Sequence, residues 1–294
     1  MSKEYQKEHT LVNPVNGNLA FKVSSFENNT YFDHIQRLNY YSIILINRGK
    51  GKLKIDFSEY DFTENMLLSF VPYQPFMLES DEDVSGFILN FHPDFFCIHK
   101  HQKEVACNGV LFNDIYKPPF ITLEYSEMQN FHTLIQQMKD ELQNAELAQY
   151  ELLVSYLKIF LITASRIKVN QSPKAKQDFA HIKEPYILQN LKDSIEKNFK
   201  TKHSANDYAI LLNISPKALA KTTKLYFNKT LTDLISERII IEAKRELYLT
   251  SKSVKEIAYE LGYEDEHYFS RFFKNNADIS PQIFRETVGF ARAK

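Results

Sequence analysis

The chain has 294 residues, 44% hydrophobic and 25% charged, a balance that excludes a disordered or collagen-like protein and gives length enough for two domains with cores of their own. Two cysteines, Cys97 and Cys107, argue against a disulfide framework and for a reducing cytoplasm; the start MSKEYQKEHT lacks a basic n-region and an apolar h-region, so neither export nor a membrane is expected. The net charge of -1 hides an asymmetry, since residues 1–170 carry 15 Lys+Arg against 21 Asp+Glu while residues 181–294 carry 19 against 15, the sign that phosphate contacts need.

From Tyr40 to Phe91, short apolar runs alternate with turn residues: YYSIILI, KLKIDF, NMLLSFV and GFILNF. This spacing, with no helical period between the runs, predicts a small antiparallel β barrel or sandwich. The run Asn47-Arg48-Gly49-Lys50-Gly51 predicts a hairpin between the first two strands, because glycine supplies the positive φ of tight turns. Pro72 and Pro75 end the strand that begins near Met66. The aromatics Tyr41, Phe57, Phe70, Phe87 and Phe91 have the composition of a core, and they are also the candidate lining of a pocket for a small apolar or sugar-like ligand.

A metal enzyme built on such a barrel needs histidines and a carboxylate converging from the strands, yet Tyr40 to Phe91 contains no histidine. His92, Cys97, His99 and His101 lie together on one stretch, but no second ligand group follows at a metal-binding spacing, so they are expected in a solvated loop. None of the seven glycines forms GxGxxG and there is no nucleophile elbow. No metal, no cofactor and no enzymatic activity are expected.

After Pro118 and Pro119 the period changes. Phe131, Leu134, Ile135, Met138 and Leu142 recur at three- and four-residue steps, as do Tyr150, Leu153, Val154, Leu157, Phe160, Leu161 and Ala164. Two amphipathic helices follow, the first capped by Ser126, with a break near Asn144. The longest apolar stretch, around Leu152 to Ala164, is interrupted by Lys158 and too short to span a bilayer. The two stripes fit burial against the barrel and equally fit a dimer interface. The polar VNQSPKAKQDF then reads as a linker, giving domains at 1–170 and 186–294 with 171–185 between them.

The second domain reads as helical almost throughout and holds a degenerate repeat. Ala205–Ser215 (ANDYAILLNIS) and Val254–Glu264 (VKEIAYELGYE) each place a small alanine, Ala209 or Ala258, and a leucine before a residue that tolerates left-handed geometry, Asn213 or Gly262. A close helix approach, a sharp turn and an apolar plug after it make a helix-turn-helix. Ser204, Ser215 and Ser253 are the predicted N-caps, with Pro216 at the favoured first helical position. The second helices, Ser215–Phe227 and about Asp265–Asn276, expose Lys217, Lys221 and Lys224 on one and Glu266, His267, Arg271 and Lys274 on the other, groups suited to guanine edges and phosphates. Leu231 to Leu249, with Ile235, Ile239, Ala243 and Leu247 on one face, predicts a rigid connector; heads reading one face of a duplex lie about 34 Å apart.

SVKEIAYELGYEDEHYFSRFFKNNADISPQIFRE, together with RIIIEAKREL before it, resembles the C-terminal signature of the AraC/XylS family of transcription regulators over about a third of the chain. The resemblance implies that Lys217, Ala220 and Lys221 of the first unit, and Glu266, His267 and Arg271 of the second, face bases or neighbouring phosphates. It also implies an N-terminal cupin-like barrel with helices for sensing and dimerisation. Thr222 and Thr223 depart from the family's apolar or aromatic residues, and Asp278 from its usual glycine; the first unit is therefore expected to pack less tightly. The fold expected is α+β, a cupin-like antiparallel barrel with helices followed by an all-α domain of two helix-turn-helix units. The expected partner is double-stranded DNA, bound by a cytoplasmic homodimer paired through residues 126–168, with RNA polymerase and an effector of unknown identity as further candidates. The alternatives are a cupin-type metal enzyme, which lacks the strand histidines, and a ligand-independent architectural DNA-binding protein, which leaves the large acidic aromatic domain without a purpose.

Overall fold

A computed structural model describes residues 8–13, 17–56, 58–105, 109–144, 146–171 and 186–288. The chain divides into two compact units, one of residues 1–55, 59–114 and 118–176, the other of residues 56–58, 115–117 and 177–294. Beyond Gln171, the linker expected at 171–185 lies outside the described residues, as do Phe57 and Cys107.

The first unit is antiparallel. Its strands are β1 (His9–Val12), β2 (Leu19–Phe26), β3 (Tyr41–Arg48), β4 (Gly51–Ile55), β5 (Ser58–Phe62), β6 (Met66–Phe70), β7 (Phe76–Glu79), β8 (Ser85–Phe91) and β9 (Phe120–Thr122). They form a six-stranded sheet in the order β1-β2-β8-β3-β6-β9 and a three-stranded sheet in the order β5-β4-β7. Of the nine strands among the described residues, six fall within the region read as β from its sequence. Of the others, β1 and β9 are only four and three residues long, and β2 lacks an alternating pattern, burying Ala20 beside Phe21 and Ser24 beside Val23.

The expected hairpin at 47–51 is not one. β3 pairs with β6 and β8, whereas β4 pairs with β7, so the chain changes sheet there. The glycines serve close approach. A Cβ on Gly49 would lie 2.9 Å from the carbonyl oxygen of Asp83, and one on Gly51 2.1 Å from that of Glu79.

The period of two along β3 divides two cores. Tyr41, Ile43 and Leu45 face one way with Leu89 and Phe91 of β8; Ile44 and Ile46 face the other, with Leu68, Phe70 and Ile88, against Leu53, Ile55 and Leu78 of the smaller sheet. The candidate ligand aromatics therefore do not share a pocket wall. Tyr41 stacks on Phe91 at 5.1 Å in the first core, and Phe87 packs on its edge, while Phe70 stacks on Phe76 at 3.9 Å in the second. Strand alternation is the reason, since Phe70 and Phe91 occupy opposite faces of one sheet.

The short α1 (Gln102–Val105) precedes β9. The helices α2 (Tyr125–Gln143) and α3 (Gln149–Asn170) cover the outer face of the large sheet. The cap of α2 is Glu124, not Ser126, because Glu124 and Glu127 form a reciprocal capping box. The break falls at Asn144 as read. Phe131, Leu134, Ile135 and Met138 of α2 and Leu153, Leu157, Phe160, Leu161 and Ala164 of α3 are buried, Phe131 and Phe160 with ring centroids 4.5 Å apart. These stripes serve this unit's own core. A different face of α3 exposes Leu152 and Ile159.

The second unit is all-α: α4 (Tyr186–Asn198), α5 (Ala205–Leu211), α6 (Pro216–Phe227), α7 (Leu231–Leu249), α8 (Val254–Glu260), α9 (Glu266–Ala277) and α10 (Pro281–Val288). The connector α7 runs 19 residues, about 28 Å at 1.5 Å per residue. Its stripe Ile235, Ile239, Ala243 and Leu247 is buried, against elements that include α9 and α10. Among the described residues no helix is long and apolar enough to cross a membrane.

Candidate nucleic-acid interface

Two heads, α5–α6 and α8–α9, are built by the same local devices. Ser204, Ser215 and Ser253 cap α5, α6 and α8, each hydroxyl accepting from the backbone N–H three residues on, and Asp265 does the same for α9. Ser204 with Asp207 and Ser253 with Glu256 complete capping boxes at the first helix of each head. The turns pass through Asn213 at φ 53° and Gly262 at φ 81°. Ala209 and Ala258 are buried, where a larger side chain would force the two helices apart.

The inner faces differ. Leu219, Thr223 and Phe227 point inward from α6, and Phe269, Phe273 and Ala277 from α9. Thr223 is fully buried because its hydroxyl donates to the Ala220 carbonyl at 3.0 Å; Thr222 donates to Ala218 at 3.0 Å. The second head gains ring contacts instead, Phe269 on Phe273 at 6.2 Å and Phe273 on Phe284 of α10 at 5.8 Å. Asp278 takes the left-handed C-cap of α9 at φ 60°, and Asn228 that of α6 at φ 55°. Asp and Asn are the side chains that enter this region most readily after glycine.

Lys217, Ala220, Lys221 and Lys224 are all exposed and recur at steps of three and four, one continuous stripe on α6. Counting from the caps Ser215 and Asp265, the same positions on α9 are His267, Ser270, Arg271 and Lys274. Three of these are exposed and Ser270 is half-buried. Glu266 occupies the counterpart of Pro216 in the first turn and is half-buried. Ser270 thus stands where Ala220 stands in the first head, and aligning the caps of the two repeats reveals it.

The electrostatic contrast within this unit is sharp. Arg238 pairs with Glu196 at 2.8 Å and Glu242 at 3.2 Å, Arg245 with Glu242 and Glu246 at 2.7 Å each, and Lys252 with Glu246 at 2.9 Å and Glu260 at 2.6 Å. Burial pushes the Glu242 carboxyl up, but Arg245 and Arg238 outweigh it and hold it below its usual value. By contrast, the side chains of Lys217, Lys221, His267, Arg271 and Lys274 form no hydrogen bond or ion pair among the described residues, and Lys224 has only a 3.4 Å contact to the Asn228 carbonyl. The basic side chains of the two stripes thus stand apart from the paired cations Arg238, Arg245 and Lys252, and are free to meet an external anion.

Arg285 was not legible as a functional residue. From α10 its guanidinium donates to the Leu247 carbonyl at 3.1 Å and the Lys252 carbonyl at 2.5 Å, closing the end of the connector beside the second head. Partners 38 and 33 residues away in sequence leave no local signal.

The stretch expected as a solvated loop is not one: in the first unit His92 and Cys97 are buried and His99 and His101 half-buried. His92 contacts the Asp94 backbone N–H at 3.2 Å, and His101 stacks on Phe96 at 4.7 Å and meets Glu104 at 3.1 Å. Among the described residues no group of three His, Cys, Asp or Glu is placed to hold a metal ion.

Two helix-turn-helix heads on one connector helix, behind a separate β unit, define a double-headed nucleic-acid reader with an attached second domain. Residues 208–287 match the helix-turn-helix domain family and residues 18–155 the AraC-like ligand binding domain family. The chain thus joins an AraC-like ligand-binding domain to a helix-turn-helix domain of the kind found in transcription regulators. An HTH-type transcriptional regulator in the cgkA 5'region of Pseudoalteromonas carrageenovora is 35% identical over 101 residues, 34% of this chain and 60% of that protein. The chain thus spans less than two thirds of that relative. The HTH-type transcriptional regulator YfiF of Bacillus subtilis (strain 168) is 24% identical over 87% of this chain and 80% of its own length. The crystal structure of ToxT from Vibrio cholerae O395 aligns with 92% of this chain and 99% of that one, at 15% identity and a TM-score of 0.40.

Proposed function

We propose that this protein is a sequence-specific regulator of transcription that inserts α6 and α9 into successive major-groove segments of one DNA duplex. The carrying observation is the pair of unpartnered basic stripes at matching positions of the two heads. Lys217, Lys221 and Arg271 meet base edges or adjacent phosphates, Ala220 offers a methyl surface to thymine, His267 reads beside Arg271, and Lys224 and Lys274 hold phosphate; Glu266 meets an exocyclic amine such as that of cytosine. The protein acts by binding rather than catalysis, in the cytoplasm, and RNA polymerase is the natural further partner of a regulator bound beside a promoter.

The β unit serves as the sensor. On the inner face of its large sheet, Ser42 and Asn90 face each other in register, buried, and among the described residues neither the Ser42 hydroxyl nor the Asn90 Oδ1 has a hydrogen-bond partner. Buried oxygens without partners cost stability unless something satisfies them, which supports an effector bearing polar groups. The homodimer forms through the exposed face of α3 around Leu152 and Ile159.

Selection of duplexes from a random pool by the full-length protein, at two salt concentrations, tests the main reading. An enriched motif with two basic-stripe-sized boxes supports it; recovery of random sequence at both salts refutes it.

A further inference from the structure

The two heads make their turns with different residues, and the turn itself does not demand the difference. Asn213 and Gly262 both hold positive φ, and asparagine tolerates that region. Their surroundings separate them. A Cβ on Gly262 would lie 2.1 Å from the carbonyl oxygen of Lys200 and 3.3 Å from Cε1 of His203. Only glycine lets the turn of the second head close on the segment leading into the first, between Asn198 at the end of α4 and the Ser204 cap of α5.

The next residue extends the contact. Tyr263 is 6% exposed, its ring centroid 4.8 Å from that of His203 and 5.2 and 5.3 Å from those of Phe269 and Phe272 on α9. One side of the ring therefore touches the approach to the first head, while the rest belongs to the reading helix of the second. Lys200 also lies 3.7 Å from Glu242 on α7, tying the same segment to the connector.

The geometry points to a second link between the heads, beside the connector helix: the seat of Gly262 and Tyr263 on Lys200 and His203 fixes the separation and rotation of α6 relative to α9, and so the spacing of the two DNA segments the protein accepts. This rests on the DNA-reading function proposed above. Between α7 and α8 the chain at Thr250–Ser253 is non-helical and is held by Lys252 to Glu246 and Glu260 and by Arg285 to the Lys252 carbonyl, contacts that tie the second head to the connector and not to the first head. The seat on Lys200 and His203 adds the direct link. Inserting one base pair moves the second box by about 3.4 Å and turns it by about 35° around the duplex, so a rigid pair of heads loses simultaneous engagement. His203 and Tyr263 are positioning residues in this arrangement and belong to neither basic stripe.

The test uses the full-length protein and its selected operator, with the spacer between the two boxes lengthened or shortened by one base pair. Gly262→Asn copies the first head's own turn residue, keeping the left-handed turn while driving a Cβ into the Lys200 carbonyl. His203→Ala removes the ring under Tyr263 without obstruction. Fluorescence anisotropy should show the wild type losing at least about tenfold in affinity on altered spacing, and both variants losing no more than about threefold, with each box alone bound as before. Should Gly262→Asn melt below the assay temperature, His203→Ala decides the matter. Variants that keep the wild-type discrimination overturn the inference, as does a sequence-specific wild type indifferent to spacing. A wild type with no sequence preference would instead overturn the DNA-reading function.

Discussion

Arg271 and Lys224 sit on equivalent kinds of helix but at different depths, and their removal should be separable by salt. Arg271 lies six positions after the Asp265 cap, whereas Lys224 lies nine after Ser215, further from the end that enters the groove. With Arg271 on a base edge, the stripes leave Lys217, Lys221, Lys224 and Lys274 to neutralise phosphate. Each contributes about 0.9 to the slope of log affinity against log salt, so four give about -3.6, and a rise from 50 to 200 mM costs the wild type about 150-fold per protomer. Lys224→Ala should lower the slope to about -2.7, reduce that salt penalty to about 40-fold, and weaken all sequences alike. Arg271→Ala should leave the slope near its wild-type value and cost about 1–3 kcal/mol on the cognate duplex, relaxing preference at one or two base pairs. Neither change touches an ion pair among the described residues, so folding should be unaffected. The assay is titration of each variant against a panel of single-base operator changes at both salt concentrations. If Arg271→Ala weakens every duplex equally and lowers the slope by about one, Arg271 holds phosphate and the direct-readout assignment of α9 is refuted.

Arg285→Ala should lower the thermal midpoint of the full chain's helical unit while leaving operator preference intact below the transition. Two charge-assisted hydrogen bonds to carbonyls on a half-buried guanidinium are worth about 2 kcal/mol, or roughly 8–16 °C for a unit of this size; an unchanged melt refutes the clamp. Burial holds the His203 imidazole below its ordinary value, so the unfolded chain takes up the proton more readily than the folded one. The stability contributed by neutral His203 is complete above about pH 6.5 and is lost as pH falls through the depressed value, and wild type should destabilise more than His203→Ala between pH 7.5 and 5.5 in paired melts. Identical pH dependence would show that another group carries the effect. Leu152→Asp together with Ile159→Asp should yield a monomer by sedimentation, with weakened binding to paired sites and unchanged binding to one; a persistent dimer places the interface elsewhere.

The helical unit was legible because its determinants are local. The serine caps, the left-handed turns at Asn213 and Gly262, and the connector limits Leu231 and Leu249 each depend on residues within a turn or two, and all lie where the sequence puts them. Basic residues at steps of three and four also name the stripes on α6 and α9 without a structure. Hydrogen bonds among those side chains are another matter, and so are sheet partners. Whether β3 pairs with β4 or with β6 and β8 depends on segments 20 to 50 residues apart, and the same glycines, Gly49 and Gly51, fit a hairpin or a change of sheet. The face on which Phe70 and Phe91 point follows from that register, which is why five aromatics that look alike in sequence divide between two cores and one undescribed position. Gly262 shows both levels in a single residue. A left-handed turn is written in its local pattern, but the Lys200 carbonyl that excludes every larger side chain arrives from 62 positions earlier, and only packing brings it there.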